Sequence, residues 1–552
     1  MSRTHTRRAA LLMTVWASAW SADPDAAGQR RPPRDRAAAV AATASVSGRV
    51  MTGSPPSPLS DAVVAMRSET GKIIQSAITG ADGRFALTAL PHGRYTLSAS
   101  KGGYLTLRYG QTRAFEKGTP LQLKPGETLR AVDMHLPRGG VLTGRVVDPF
   151  GHPAVGARVE VERYQFATGR WDLVGVGRTD HTDDRGIYRI YGLPPGDYYL
   201  QVRAPRFPGQ RTTPVPTYYP TASDLASAQR VSVGIGAEVG GIDVVLTQVE
   251  AARITGRVVD AAGRPQVRAR SVSLLSRDPA GLDVRGGTIQ PDGSFTIEGM
   301  PAGAYVLYAN TPAVGGPVEF AVTELRTMGD DIEHLVLRTS AGATATGTLV
   351  FDRGIVPPFG PEDLYLCTMP LGFVDVPVGR GTGGVNPDWS FEIRGMGDAQ
   401  LLRLLGLPDG WALDSVLLNG RNITDQPVHL PAGRTTTGFR MVVTDRTTRV
   451  LGTVVDTAGR PVTDCTVVIF AADATRWQFP SRFVHAVRPD QHGTIDVPDL
   501  PTERYLAFAA TGIPEGAWTD TRFLEQIRSA ATGFTLGAGE THSISITVRP
   551  LP

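Results

Sequence analysis

Aromatic rings and acidic groups are the reactive or adhesive chemistry this chain has to offer. A sugar ring stacks its C–H face on an exposed aromatic side chain. Trp171, Trp389, Trp411, Trp477 and Trp518, with Tyr218 and Tyr219, are the rings available for that purpose. Six of them, Trp171, Trp411, Trp477, Trp518, Tyr218 and Tyr219, are the candidate ligand contacts. They are scattered along the chain rather than paired, and the competing expectation is that they fill cores or cover strands. Asp180, His181, Asp183 and Asp184 form the densest acidic group. Calcium takes such oxygens, but the spaced Asp-x-Asp-x-Asp-Gly loop is missing, so a polar turn is the expected reading. Asp330, Asp331, Glu333 and His334 read the same way.

Motifs for catalysis are missing. None of the ten histidines opens a His-x-x-Glu or His-Glu-x-x-His pair of the kind that holds zinc and activates water. No Gly-x-Ser-x-Gly elbow and no Gly-Lys-Ser/Thr phosphate loop occurs. We therefore expect no catalytic residue, no metal and no cofactor, and no enzymatic activity. Cys367 and Cys465 stand about a hundred positions apart, too few and too distant for a four-ligand zinc site. Two buried free thiols are expected, with a disulfide between two modules as the alternative.

Length and composition set the frame. A chain of 552 residues exceeds what one core supports, and roughly three to five domains are expected. The 41% hydrophobic and 20% charged residues are those of a globular protein. Sixty-three glycines and 42 prolines among short alternating runs favour an all-β, turn-rich chain. The net charge of +3 includes Arg3, Arg7 and Arg8, so the remainder is near neutral. Nucleic-acid binding, which needs a basic face to displace counterions, is not expected.

Residues 1–22 read as an export signal. Arg3, Arg7 and Arg8 lead, Ala9 to Trp16 form the apolar core, and Ala17-Ser18-Ala19 offers small residues for cleavage. Thr6-Arg7-Arg8 is a partial twin-arginine match. No stretch reaches the ~20 apolar residues of a membrane span. An exported protein, periplasmic, at the outer surface or extracellular, is expected. Residues 23–45 read as a disordered linker rich in Ala, Pro and Arg.

From residue 46 onward the chain is repetitive. Gly48-Arg49-Val50, Gly144-Arg145-Val146-Val147-Asp148 and Gly256-Arg257-Val258-Val259-Asp260 open three segments. Each continues to a turn glycine (Gly83, Gly186, Gly293), a second glycine ten residues on (Gly93, Gly196, Gly303) and a tyrosine two further (Tyr95, Tyr198, Tyr305). Side chains alternate with period two along a strand, so a constant count holds one face inward and predicts a fixed hairpin. A fifth segment keeps Gly452, Gly493 and Tyr505, with Glu503 at the second glycine's place. A fourth, from Gly347, is degenerate and carries Trp389 where the turn glycine belongs. Short helices are expected at 223–230 and 520–531, the latter from the spacing of Phe523, Leu524 and Ile527.

The G-R-V-V-D opening, the D-G-x-F turn and the L-P-x-G-x-Y close resemble the carboxypeptidase regulatory-like domain, a transthyretin-like (prealbumin-like) β-sandwich. The resemblance covers segments one to three and five, and the fourth weakly. It implies a tandem array of about five such sandwiches: 46–140, 141–250, 251–341, a divergent 342–447, and 448–552. In that family the domains are accessory ones, so the expected role is an envelope or extracellular interaction module or spacer without catalysis. A carbohydrate-binding protein of the starch-binding-like class is the first alternative. An accessory to a separately encoded hydrolase is the second. A glycan or an envelope protein is the expected partner.

Overall fold

The computed structural model describes residues 43–167, 170–205, 212–277, 284–312, 318–370, 379–397 and 399–552. The expected export signal and nearly all of the leader after it lie outside these residues. The chain is all-β, built as tandem sandwiches, and the third shows the plan most simply. Its first sheet pairs strand Ala252–Val259 antiparallel to Ser294–Met300 and parallel to Ile332–Arg338. Its second runs Val284–Thr288, Ser271–Ser276, Gly303–Asn310 and Glu319–Thr327. Ile254, Val258, Phe295 and Ile297 from one sheet meet Val272, Leu274, Tyr305 and Leu307 from the other. The alternation read from the sequence thus places one row from each sheet into a shared core. Burying each such side chain contributes about 1.5–3 kcal/mol.

The first, second and fifth modules repeat the two-sheet arrangement around their own clusters of buried residues. The fourth differs. Its strands form one continuous path, because Thr382–Gly384 bridges Tyr365–Pro370 to Ser390–Met396. Strand Ala412–Leu418 is added beside Thr435–Thr444. Its core is also separate, and is the one most filled by aromatic rings.

One expectation is corrected here. The two turns of the repeat do not close a hairpin. Ser294–Met300 belongs to the first sheet and Gly303–Asn310 to the second, so Pro301-Ala302-Gly303 is a corner that carries the chain across the core. The constant count measures the strand that spans the sandwich between two corners. Tyrosine locks the second corner. The hydroxyls of Tyr95, Tyr305 and Tyr505 donate to the carbonyls of Pro91, Pro301 and Pro501 at 2.9, 3.0 and 2.8 Å, and Tyr198 does so to Pro194. The ring is buried while its hydroxyl satisfies a carbonyl that the corner would otherwise orphan.

The glycines have physical reasons as well. A Cβ at Gly144 would sit 2.0 Å from the Ile242 carbonyl oxygen, because the chain entering the closing strand, which pairs parallel to the opening one, lies against it there. The turn glycines have positive φ, +75° at Gly186. Trp389 occupies the equivalent place in the fourth module with φ +64°. Its carbonyl accepts from Leu349 N at 2.8 Å, as that of Gly186 does from Val146 N at the same distance. An L-residue in this conformation costs about 1–2 kcal/mol. The indole compensates by packing edge-on against Phe351, centroids 4.7 Å apart.

The expected helix at 223–230 is a series of bends instead. Asp224 ties the backbone N–H and hydroxyl of Ser227, a local closure that competes with helix formation. The helix Thr521–Arg528 does form, capped by Asp520, and buries Leu524 and Ile527. These cover Val468, Phe470 and Phe508 on the outer face of the fifth module's second sheet. Cys367 and Cys465 are free thiols.

Repetition predicts a linear string, yet the ends meet. Gln122 and Gln491 exchange two hydrogen bonds, 2.8 and 2.7 Å, between first and fifth modules. Arg94 donates to the Arg488 carbonyl at 2.8 Å, and Lys117 pairs with Glu515 at 2.9 Å. Fourth and fifth modules are joined by Asp425, which receives Arg482 and Arg403 at 2.9 and 3.3 Å. First and second share Phe115, stacked edge-on against Tyr198 at 6.2 Å and covered by the Arg163 guanidinium at 3.8 Å.

Candidate ligand-binding surfaces

The expected aromatic contacts divide by burial. Trp411 is 8% exposed, held between Phe359 and Phe351 in the fourth module's core. Trp477 is 3% exposed, and its indole N–H donates to the Ala471 carbonyl at 2.7 Å. Tyr218 is 1% exposed, its hydroxyl accepting from the Gln201 amide. These three cannot meet a sugar face, because their own module occupies both sides of the ring. Tyr219 is half-buried against the second module's core. Trp518 sits where the fifth module meets the first, with Lys117 Nζ 5.5 Å from its ring. Trp171 alone of the six is exposed, at 45%.

Trp171 lies on the long edge strand Arg170–His181, opposite Phe166 of the strand Arg158–Ala167. Ring contacts extend from it: Phe166 at 5.7 Å, Tyr164 at 6.1 Å, and from Tyr164 to Tyr199 at 6.2 Å. Tyr164 is 48% exposed. Strand register explains the row. Glu160, Glu162, Tyr164 and Phe166 alternate onto one face, and Glu162 pairs across to Gly175 on one side and Tyr199 on the other. Scoring this strand for period two would have found Tyr164. Tyr199 comes onto the face only through pairing, which no local pattern announces.

Glu162 is the unusual group on this face. It is 8% exposed, and its Oε2 is buried without a hydrogen-bond partner among the described residues. A Cβ at Gly175 would meet nothing within 4 Å, so the missing side chain leaves a slot beside the carboxyl. Burial, then Glu160, push the Glu162 pKa up to about 7 against the opposing pull of Arg203, with Asp172 adding to the rise. The face therefore combines flat rings with a carboxyl able to hold its proton near neutrality.

The acidic group at the second module's turn serves the backbone. Asp183 accepts from Arg185 N and Ile187 N, at 2.9 and 2.7 Å, and Asp180 from Arg189 N at 2.8 Å. The Ile187 bond is the largest cause holding Asp183 below the usual carboxylate range. Among the described residues no group of three or more His, Cys, Asp or Glu side chains is placed to hold a metal ion. No helix among them is long and apolar enough to cross a membrane.

Comparison with solved structures finds pilins and a protein named TIE. The TIE protein of Bacillus anthracis is 12% identical, over 72% of this chain and 69% of that one, at a TM-score of 0.15. The minor pilin GBS52 of Streptococcus agalactiae is 14% identical, over 37% of this chain and 96% of its own, at 0.21. The shaft pilin SpaA of Lactobacillus rhamnosus GG is 13% identical, over 40% and 100%, at 0.16. At these scores the likenesses carry nothing about function. No curated protein matches the sequence. The carboxypeptidase regulatory-like domain profile matches twice, at residues 45–137 and 141–247. Those spans hold the first and second of the cores described above, and the first two modules thus belong to the carboxypeptidase regulatory-like domain family.

Proposed function

We propose that the chain is an exported, non-catalytic interaction module of the cell envelope or exterior, divided at 46–140, 141–250, 251–341, 342–447 and 448–552. The contact between the first and fifth modules favours a compact platform over an extended spacer, because a chain whose ends are pinned cannot supply reach. The single observation behind a glycan partner is the exposed row Tyr164–Trp171 with Tyr199 beside it. Such rings offer the flat apolar surface a sugar takes, and Glu162 and Glu160 stand next to them for its hydroxyls.

Binding of the purified chain to an array of neutral and charged polysaccharides tests this. We expect retention on at least one polymer and a loss of up to roughly tenfold in the Trp171→Ala chain, since ring-stacking contacts carry about 0.5–1.5 kcal/mol. Retention unchanged in Trp171→Ala and in Tyr164→Ala removes the glycan reading from this face.

A further inference from the structure

A second surface lies where the first module passes into the second. The linker is fixed there. Leu105 N donates to the Pro137 carbonyl at 2.9 Å and Gly139 N to that of Gly103 at 3.3 Å. A Cβ on Gly139 would fall 2.4 Å from Gly192 Cα, so the two modules touch backbone to backbone. Beside this contact opens a groove of about 380 Å³, lined by Lys101, Tyr104, Thr106, Arg178 and Tyr191 among others. That volume falls within the range of pockets that take small ligands.

The groove is cationic for a reason that is visible in its pairing. Arg178 makes no ion pair or hydrogen bond among the described residues, and its guanidinium lies over Gly192, where a Cβ would stand 3.1 Å from Nη2. Arg138 covers Tyr104 at 5.8 Å and has no carboxylate partner among the described residues either. Lys101 is held in place, donating to the Ser60 carbonyl at 2.5 Å with Asp61 at 3.7 Å. Asp61, whose side chain is 78% exposed, is the one acid in the lining. Two lining cations, Arg178 and Lys101, against one carboxylate leave a net positive site. Tyr191, 55% exposed, and Tyr104 supply rings beside the charges.

We propose that this groove binds an anionic saccharide segment, a sugar carrying a carboxylate or an acidic ester. Arg178 would take the anion through its forked donors, Lys101 would add a point charge, and Tyr104 and Tyr191 would cover the C–H faces of the ring. A bare inorganic anion needs no such rings, and a neutral sugar needs no unpaired guanidinium. The site is separate from the Trp171 face and contains none of its residues.

Titration of the full chain with oligogalacturonate, a neutral dextran of similar length and a single-stranded DNA of similar charge tests the assignment. The expected result is binding of oligogalacturonate alone, weakening with added salt. It should weaken roughly tenfold or more in Arg178→Gln, as loss of a charge-assisted pair implies, and also in Tyr191→Ala, with Trp171→Ala unchanged. Both variants alter exposed or half-exposed side chains, and an unaltered melting temperature shows that they fold. Equal binding of DNA and oligogalacturonate overturns the saccharide assignment. Binding of dextran equal to that of the uronate overturns the role of charge. Absence of binding, or binding indifferent to both substitutions, overturns the site.

Discussion

Glu162→Gln separates a buried, unsatisfied carboxyl from an ordinary strand residue. In the folded chain the group titrates at about 7, against an ordinary value of 4.5, with burial as the largest cause and Glu160 next. The folded state therefore holds the proton more tightly than the unfolded chain does. Below pH 4.5 both states carry it and nothing is lost. As pH rises from 4.5 towards about 7 the unfolded chain releases its proton first, and the second module loses stability. Above about 7 the full penalty is present. A gap of about 2.5 pH units at ~1.36 kcal/mol each amounts to about 3 kcal/mol. Glutamine keeps the shape and carries no charge, so it should remove the penalty. Amide hydrogen exchange on the full chain, read by mass spectrometry on peptides covering 158–167 and 196–203 and corrected for intrinsic rates, reports the opening free energy of these strands. From pH 5 to pH 9 the wild-type value should fall by up to about 3 kcal/mol while that of Glu162→Gln stays level. Parallel pH profiles in the two proteins, or poorer protection of the variant at pH 9, would refute the argument that this carboxyl is held uncompensated.

Two further substitutions test the architecture. Tyr305→Phe removes the hydroxyl that closes the third module's second corner on Pro301; we expect a loss of about 1 kcal/mol, read as a lower denaturant midpoint for that module's peptides with the groove and the Trp171 face unaffected. Asp425→Asn leaves Arg403, 10% exposed and pushed down to about 10 by burial, and Arg482 without their shared carboxylate. A cost of about 3–5 kcal/mol is expected, seen as faster proteolysis between the fourth and fifth modules, and a second change, Arg482→Met, should recover part of it.

The repeat is legible because it is written in residues with narrow physical roles. Gly186 needs positive φ, Gly144 has a carbonyl where its Cβ would be, and Tyr198 must reach back four residues to Pro194. The local pattern does not say which sheet the strand after a corner joins, and for that reason Ser294–Met300 and Gly303–Asn310 read as a hairpin from sequence alone. Period-two alternation is the same whether the partner strand lies beside or across the core. The candidate rings behave similarly. Nothing adjacent to Trp411 or Trp477 in the chain distinguishes them from Trp171, because burial is conferred by Phe351, Phe359 and Phe470, some on distant strands. Arg178 and Lys101, well apart in sequence, share a groove only through the contact of Gly139 with Gly192.

By itself the sequence determined an all-β chain of repeated sandwiches, since turn glycines, corner tyrosines and alternating apolar residues act over a few positions and are read locally. It also carried the absence of any catalytic motif. Only the tertiary structure decided that first and fifth modules touch, which rings face solvent, and that Glu162 Oε2 finds no hydrogen-bond donor among the described residues. Those outcomes depend on surfaces brought together across hundreds of residues, where one-dimensional spacing has no purchase and desolvation and fit decide.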